Sequence, residues 1–90
     1  MTPDKVIKVL AKYSVTLEEE GFGVRRLPTG ADPMKVPGHQ KMAHLRWMCS
    51  EAASFVRQDR MDKAFRWLGF IQGALWASGF MSVELLKEDN

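Results

Sequence analysis

The sequence predicts an all-α fold, a small helical bundle built on an antiparallel helical hairpin. Two stretches of this 90-residue chain place apolar residues at alternating spacings of three and four, the period of a helix with a buried face, and a third stretch reads as a helix that is apolar on nearly every face. Glycine and proline, which interrupt helices, are concentrated between the first two stretches. The connection between the second and third stretches is short, which favours an antiparallel pair. We therefore expect one domain, residues 1–90, with three main helices and a short C-terminal helix.

The first helix is predicted over residues 2–20. Thr2 can cap its first turn, and Pro3 suits the first helical position because an N–H there needs no helical partner. Its apolar residues form one stripe. They are Val6, Val9, Leu10, Tyr13 and Leu17.

The segment 21–38 is predicted to be a loop, because it holds four of the seven glycines and three of the four prolines. A short strand over 23–27 is compatible with its composition but would have no partner strand. The segment is longer than most connections in a compact domain, and we expect too few apolar residues to hold it down. Three alternatives stay open: a mobile connector, a functional loop, or a loop that orders upon binding.

The second helix is predicted over 39–58, the third over 60–79 and the short last helix over 82–88. Asp59 is placed to cap the third helix, and Ser82 to cap the last one. The third helix is apolar on nearly every side, so it must be covered on more than one face. We expect five of its side chains to be largely buried. They are Trp67, Leu68, Ile71, Leu75 and Trp76.

Gly69, Gly73 and Ala77 lie four residues apart on the third helix and form a row of small residues. This row is either a flat seat for Trp47 or the first helix, or the seam of a homodimer. The chain is 46% hydrophobic, which is a heavy apolar load for its length. We therefore expect a homodimer with a helical, apolar interface.

No catalytic, cofactor-binding or metal-binding constellation is visible. His39 and His44 are five residues apart, whereas the zinc-binding pair of a metalloprotease helix is four apart. Cys49, the only cysteine, is in register with Leu45 and Ala52 and is expected to be buried as a small apolar residue. We therefore expect no metal, no cofactor and no enzymatic activity.

The net charge of +2 is too mild to predict a nucleic-acid partner by itself. Basic residues nevertheless gather at the turn between the second and third helices, and two more lie in the loop. These candidate contacts to a partner or to nucleic acid are Arg25, Arg26, Arg57, Arg60, Lys63 and Arg66. The sequence also lacks a long uncharged apolar stretch and a secretory-signal pattern. We therefore expect a cytoplasmic location and no membrane partner.

Three blocks resemble small proteins encoded by tailed bacteriophages and prophages, whose functions are generally unassigned. The blocks are His44-Leu-Arg-Trp-Met-Cys49, Lys63-Ala-Phe-Arg-Trp-Leu-Gly-Phe-Ile-Gln-Gly-Ala-Leu-Trp76 and Glu84-Leu-Leu-Lys-Glu-Asp-Asn90. The resemblance covers about half of the chain and implies a setting in the host-cell cytoplasm. The leading expectation is a non-enzymatic protein-binding module, a phage accessory protein that acts on a host or phage protein. The alternative is a nucleic-acid-binding or regulatory protein that uses the basic turn.

Overall fold

The structure, a computed structural model, describes residues 1–90 and contains four α-helices and no strand. The helices are α1 (Pro3–Glu19), α2 (Gly38–Arg57), α3 (Met61–Ala77) and α4 (Val83–Asp89). The predicted all-α fold is confirmed. Helix α2 packs against both α1 and α3, whereas α1 and α3 contact each other little. None of the four helices has the length and apolar character needed to span a bilayer.

Both ends of α1 follow from local chemistry. The Thr2 hydroxyl accepts a hydrogen bond from the Lys5 amide at 3.2 Å, which satisfies one of the free N–H groups of the first turn. At the other end Gly21 adopts a left-handed conformation, with φ 91°. The Phe22 amide then bonds back to the Leu17 carbonyl at 3.0 Å. This arrangement ends the helix and turns the chain towards α2.

The turn between α2 and α3 corrects one prediction. Asp59 does not cap α3; it adopts a left-handed conformation with φ 59° and ends α2 instead. The Arg60 amide bonds to the Phe55 carbonyl at 2.8 Å, a bond that closes the C-terminus of α2. Arg60 itself precedes α3 and gives it no side-chain cap. Asp59 therefore contributes through its backbone, because aspartate tolerates the left-handed region better than most residues.

Helix α3 is covered on one face only. Leu68, Ile71 and Leu75 are buried as predicted, and Trp67 is half-buried. The prediction for Trp76 is wrong, since 56% of its surface is exposed. The reason is that α1 packs chiefly against α2, so no element of the chain covers the outer side of α3.

A polar network ties the C-terminus to the bundle. Asp89 is only 6% exposed and accepts hydrogen bonds from the Tyr13 hydroxyl at 2.8 Å and the Lys12 ammonium at 2.7 Å. The Gln72 side chain donates to Tyr13 at 3.0 Å and to Asn90 at 3.2 Å. Gln72 thus links α3 to α1 and to Asn90. The network therefore joins α1, α3 and the end of α4 through polar side chains.

Candidate binding groove

The loop 21–38 is held against the helices at its start. The Phe22 ring packs edge-on against the Phe80 ring, with centroids 5.6 Å apart. The Arg46 guanidinium donates to the Phe22 carbonyl at 2.8 Å and pairs with Glu18 at 3.1 Å. One aromatic contact and the Arg46 side chain therefore hold the start of the segment, whereas most of its other residues are exposed.

The next part of the loop is bonded to α2. The Arg25 amide donates to the Ala43 carbonyl at 3.1 Å, and the Leu27 amide donates to His44 Nδ1 at 3.0 Å. The short strand that the composition allowed over 23–27 does not form. This stretch instead satisfies two of its amides on a helix, because no second strand exists to pair with it.

His44 holds the loop as a neutral imidazole. Its Nδ1 atom accepts the bond from Leu27 and therefore carries no proton. Burial lowers the pKa of His44 below its usual value, and the nearby Arg26 charge acts in the same direction, while a backbone contact with Arg25 opposes both. The ring also stacks on Trp47, with centroids 5.3 Å apart. His44 thus acts as an anchor for the loop.

Aromatic rings form a continuous row from the loop to the hairpin turn. The Arg26 guanidinium lies 4.9 Å from the centre of the Trp47 ring. Trp47 packs against Trp67 at 5.9 Å, and Trp67 meets Phe55 edge-on at 4.9 Å. The two helices are therefore joined by a row of rings with a cation over its first member.

A groove of about 630 Å³ lies beside this row, between the loop, the N-terminal half of α2 and the C-terminal half of α3. Most of its lining is apolar. The helical residues of the lining include Met42, Leu45 and Trp47 on α2, and Trp67, Phe70 and Ala74 on α3. Leu27, Pro28 and Val36 contribute from the loop. Phe70 lies at the edge of the groove, and 61% of its surface is exposed. The size and composition are typical of a ligand-binding or peptide-binding site.

The charges at the groove have one sign. Arg26 and Lys41 are the only residues of the lining with a permanent charge, and no carboxylate belongs to it. The indole N–H groups of Trp47 and Trp67 donate no hydrogen bond within the chain. Since every buried polar side-chain atom of the protein has a hydrogen-bond partner, these two N–H groups are not buried and are open to solvent. The groove presents hydrogen-bond donors and positive charge beside an apolar floor.

The four basic residues that the sequence places around the turn line two separate depressions. Arg60 and Lys63 lie over the Phe55 ring, at 5.2 and 4.6 Å from its centre. Arg66 shares a shallow depression with them and with two acidic side chains of the turn. Arg57 lines a separate crevice between α1 and α2. These residues therefore do not form a single basic surface.

The two loop arginines, Arg25 and Arg26, lie away from the turn between α2 and α3. Arg26 lies over Trp47 at the groove, and Arg25 is exposed beside its amide bond to α2. The aromatic row connects the loop to the turn, but the cations at its two ends are different residues: Arg26 lies over Trp47, and Arg60 and Lys63 lie over Phe55.

The small-residue row of α3 faces outwards. A Cβ added at Gly69 or Gly73 would meet no atom within 4 Å, and Ala77 is exposed at the end of the groove. The interpretation of this row as a seat for Trp47 or α1 is therefore wrong. The interpretation as a homodimer seam stays a prediction.

Cys49 is buried in the core, as its spacing predicts. Cys49 is 2% exposed, and burial raises its pKa to about 12, although Arg46 acts in the opposite direction. Its thiol is therefore protonated at neutral pH and is a poor nucleophile. No three side chains of the His, Cys, Asp and Glu types come close enough together to hold a metal ion.

The groove is the feature that sequence reasoning missed. Its signal was the set of apolar residues inside a segment otherwise rich in glycine and proline, namely Leu27, Pro28 and Val36. The spacing of apolar residues in α3 did not reveal the groove. Because α3 has apolar residues on nearly every side, its sequence does not show which face is covered by other helices. Comparison with protein-family models, curated proteins and solved structures finds no match to this chain.

Proposed function

We propose that this chain is a non-enzymatic protein-binding module and that the groove is its binding surface. The observation that carries the proposal is the apolar groove of about 630 Å³, with two half-buried indoles in its lining and the exposed Phe70 ring at its edge. Tryptophan and other large aromatic side chains in a desolvated pocket dominate the energetics of protein–protein interfaces. Small monomers rarely leave such a surface without a partner.

The chemistry of the groove supports binding rather than catalysis. A general acid or base must be free to exchange a proton with a substrate. His44 is the only histidine of the lining; burial lowers its pKa, and its Nδ1 atom is engaged with the Leu27 amide. The remaining lining is apolar or basic except for the hydroxyl groups of Thr29 and Ser78, and no carboxylate lines the groove to act as a base beside them.

The resemblance to phage and prophage proteins suggests the kind of partner. We propose that the module acts as a phage accessory protein in the host cell and engages a host or phage protein.

Nucleic-acid binding receives less support from the geometry. Single-stranded nucleic acid requires aromatic faces on which bases can stack. Here Trp47, Trp67 and Phe55 pack on one another, and Phe55 is buried. Asp59 and Asp62 also lie among the basic side chains of the turn and weaken its positive field.

The test is a selection from a random peptide library displayed on phage, with two matched variants. Ala74→Trp places an indole in the groove, whereas Ala11→Trp places one on an exposed position of α1, away from the groove. We expect the unaltered chain and Ala11→Trp to enrich the same peptides, and Ala74→Trp to lose them. Circular dichroism confirms that both variants keep the helical fold. Enrichment of no sequence, or equal enrichment by Ala74→Trp, would refute the proposal.

A further inference from the structure

We infer that the groove accepts an amphipathic helix with an acidic polar flank. This inference rests on the proposed function and specifies the chemistry of the partner. Three observations carry it: the sign of the charges at the groove, the helical walls, and the donors left open beside the apolar floor.

The charges select an acidic partner. Arg26 and Lys41 are exposed, and no carboxylate belongs to the lining. The one acidic residue of the loop, Asp32, lies outside the lining and accepts a hydrogen bond from the Met34 amide at 2.9 Å. Arg26 is held over Trp47, which restrains its guanidinium but leaves its N–H edge available to a carboxylate. A partner with acidic residues beside its apolar side chains is therefore complementary, and a basic one is repelled.

The walls select a helix rather than an extended peptide. Two sides of the groove are helices, whose backbone groups are largely paired within each helix. The fold has no strand and so no free sheet edge that could add an extended segment. Helix α3 lines the groove from Trp67 to Ala77, about 15 Å at the rise of an α-helix. This length matches about three turns of a helix, which brings its own backbone hydrogen bonds.

The floor of the groove receives the apolar face of that helix. The indoles of Trp47 and Trp67 offer apolar surface, and their N–H groups have no acceptor within the chain. An acidic side chain next to an apolar anchor can accept from an indole N–H while the anchor fills the groove. Apolar anchors three and four residues apart, with acids beside them, are therefore the expected pattern.

The test uses three synthetic helical peptides, each labelled with a fluorophore for anisotropy measurements. All three carry the same leucine and phenylalanine anchors at helical spacing over about three turns. Their other positions are glutamate in the first peptide, glutamine in the second and lysine in the third. We expect the glutamate peptide to bind about tenfold more tightly than the glutamine peptide, and the lysine peptide to bind most weakly. This preference should shrink as salt is added.

Charge reversal in the protein locates the effect. Arg26→Glu combined with Lys41→Glu should invert the order of the three peptides. A matched control, Lys5→Glu combined with Lys8→Glu, makes the same change of net charge on exposed positions of α1 and should leave the order unchanged. Inversion by both double variants would show an effect of net charge alone and overturn the inference.

The remaining outcomes separate this inference from the proposed function. Equal affinity for the three peptides would overturn the acidic flank, and absence of binding by all of them would overturn the helical partner. In either case the library selection decides independently whether the groove binds protein segments. A selection that yields groove-dependent peptides without acidic residues would leave the function standing and reject the inference.

Discussion

Replacing Gly69 and Gly73 by alanine tests how the outer face of α3 is used. Both glycines lie in the interior of a helix, where glycine is less favourable than alanine by about 1 kcal/mol. Neither position requires a glycine within the chain, because an added Cβ meets no atom within 4 Å and neither residue has a positive φ. The isolated chain therefore carries two helix-weakening residues without a compensating contact.

The expected magnitude follows from these two positions. The free energy of unfolding of the double variant should be higher by about 2 kcal/mol, because the two substitutions raise helix propensity and cause no clash. For a domain of this size the gain corresponds to a rise in Tm of roughly 8–16 °C. If the row is a dimer seam, the same variant should associate more weakly, because the added methyl groups keep the partner helix away.

The assay separates the two effects by protein concentration. Urea unfolding at the lowest usable concentration reports the stability of the monomer, and light scattering over a concentration series reports association. Gly73→Leu is the sharper companion variant. Leucine keeps most of the helix propensity of alanine but projects far from the helix surface, so it should raise monomer stability and abolish a seam.

Three results would each refute a part of this reasoning. A loss of stability at low concentration would mean that the glycines serve the fold of the single chain. Unchanged association of both variants would exclude the small-residue row from any dimer interface. A chain that stays monomeric at high concentration, before any substitution, would exclude the homodimer itself.

Three further predictions concern the anchors of the fold. Acidification should release the loop: the folded state lowers the pKa of His44, so the stabilisation is present above the ordinary value of about 6.5 and is lost as the pH falls below it. The release should appear as faster hydrogen exchange of the Leu27 amide below that pH, and the His44→Gln variant should lack this pH-dependent acceleration. An exchange rate that follows only the intrinsic pH dependence of amide exchange would contradict the prediction. Tyr13→Phe should cost about 2–3 kcal/mol, because it removes a hydrogen bond to the buried carboxylate of Asp89. Urea unfolding measures the cost, and a change below about 0.5 kcal/mol would show that the network is not stabilising. Cys49 should react with a thiol reagent only as fast as the protein opens, because its thiol is buried and protonated; rapid reaction under native conditions would contradict this.

The positions of the helices are predictable from sequence because they depend on local interactions. Thr2 and Ser82 cap α1 and α4 through bonds to amides three residues away, which a reader of the sequence can anticipate. The buried stripe of α1 follows from the spacing of its apolar residues alone. Cys49 likewise shares the buried face of α2 with residues at helical spacing.

Which faces are covered depends on contacts between distant parts of the chain. Trp76 and Phe70 are as apolar as the buried residues of α3, yet they stay exposed because α1 packs on α2. Asp59 resembles a helix cap in sequence, but the bond that closes α2 places it in a left-handed conformation. In both cases the local pattern allows two outcomes, and the packing of the neighbouring helix selects one.

The groove depends on tertiary structure most strongly. Its walls come from the loop, α2 and α3, and its shape requires the bond between the Leu27 amide and His44, residues 17 positions apart. The spacing of apolar residues along the sequence does not predict such a bond, because that spacing describes only neighbours within one helix or strand. The residue types were visible in the sequence, including the tryptophans and the loop arginines. Their assembly into one cationic, apolar groove was decided by how the loop docks on the hairpin.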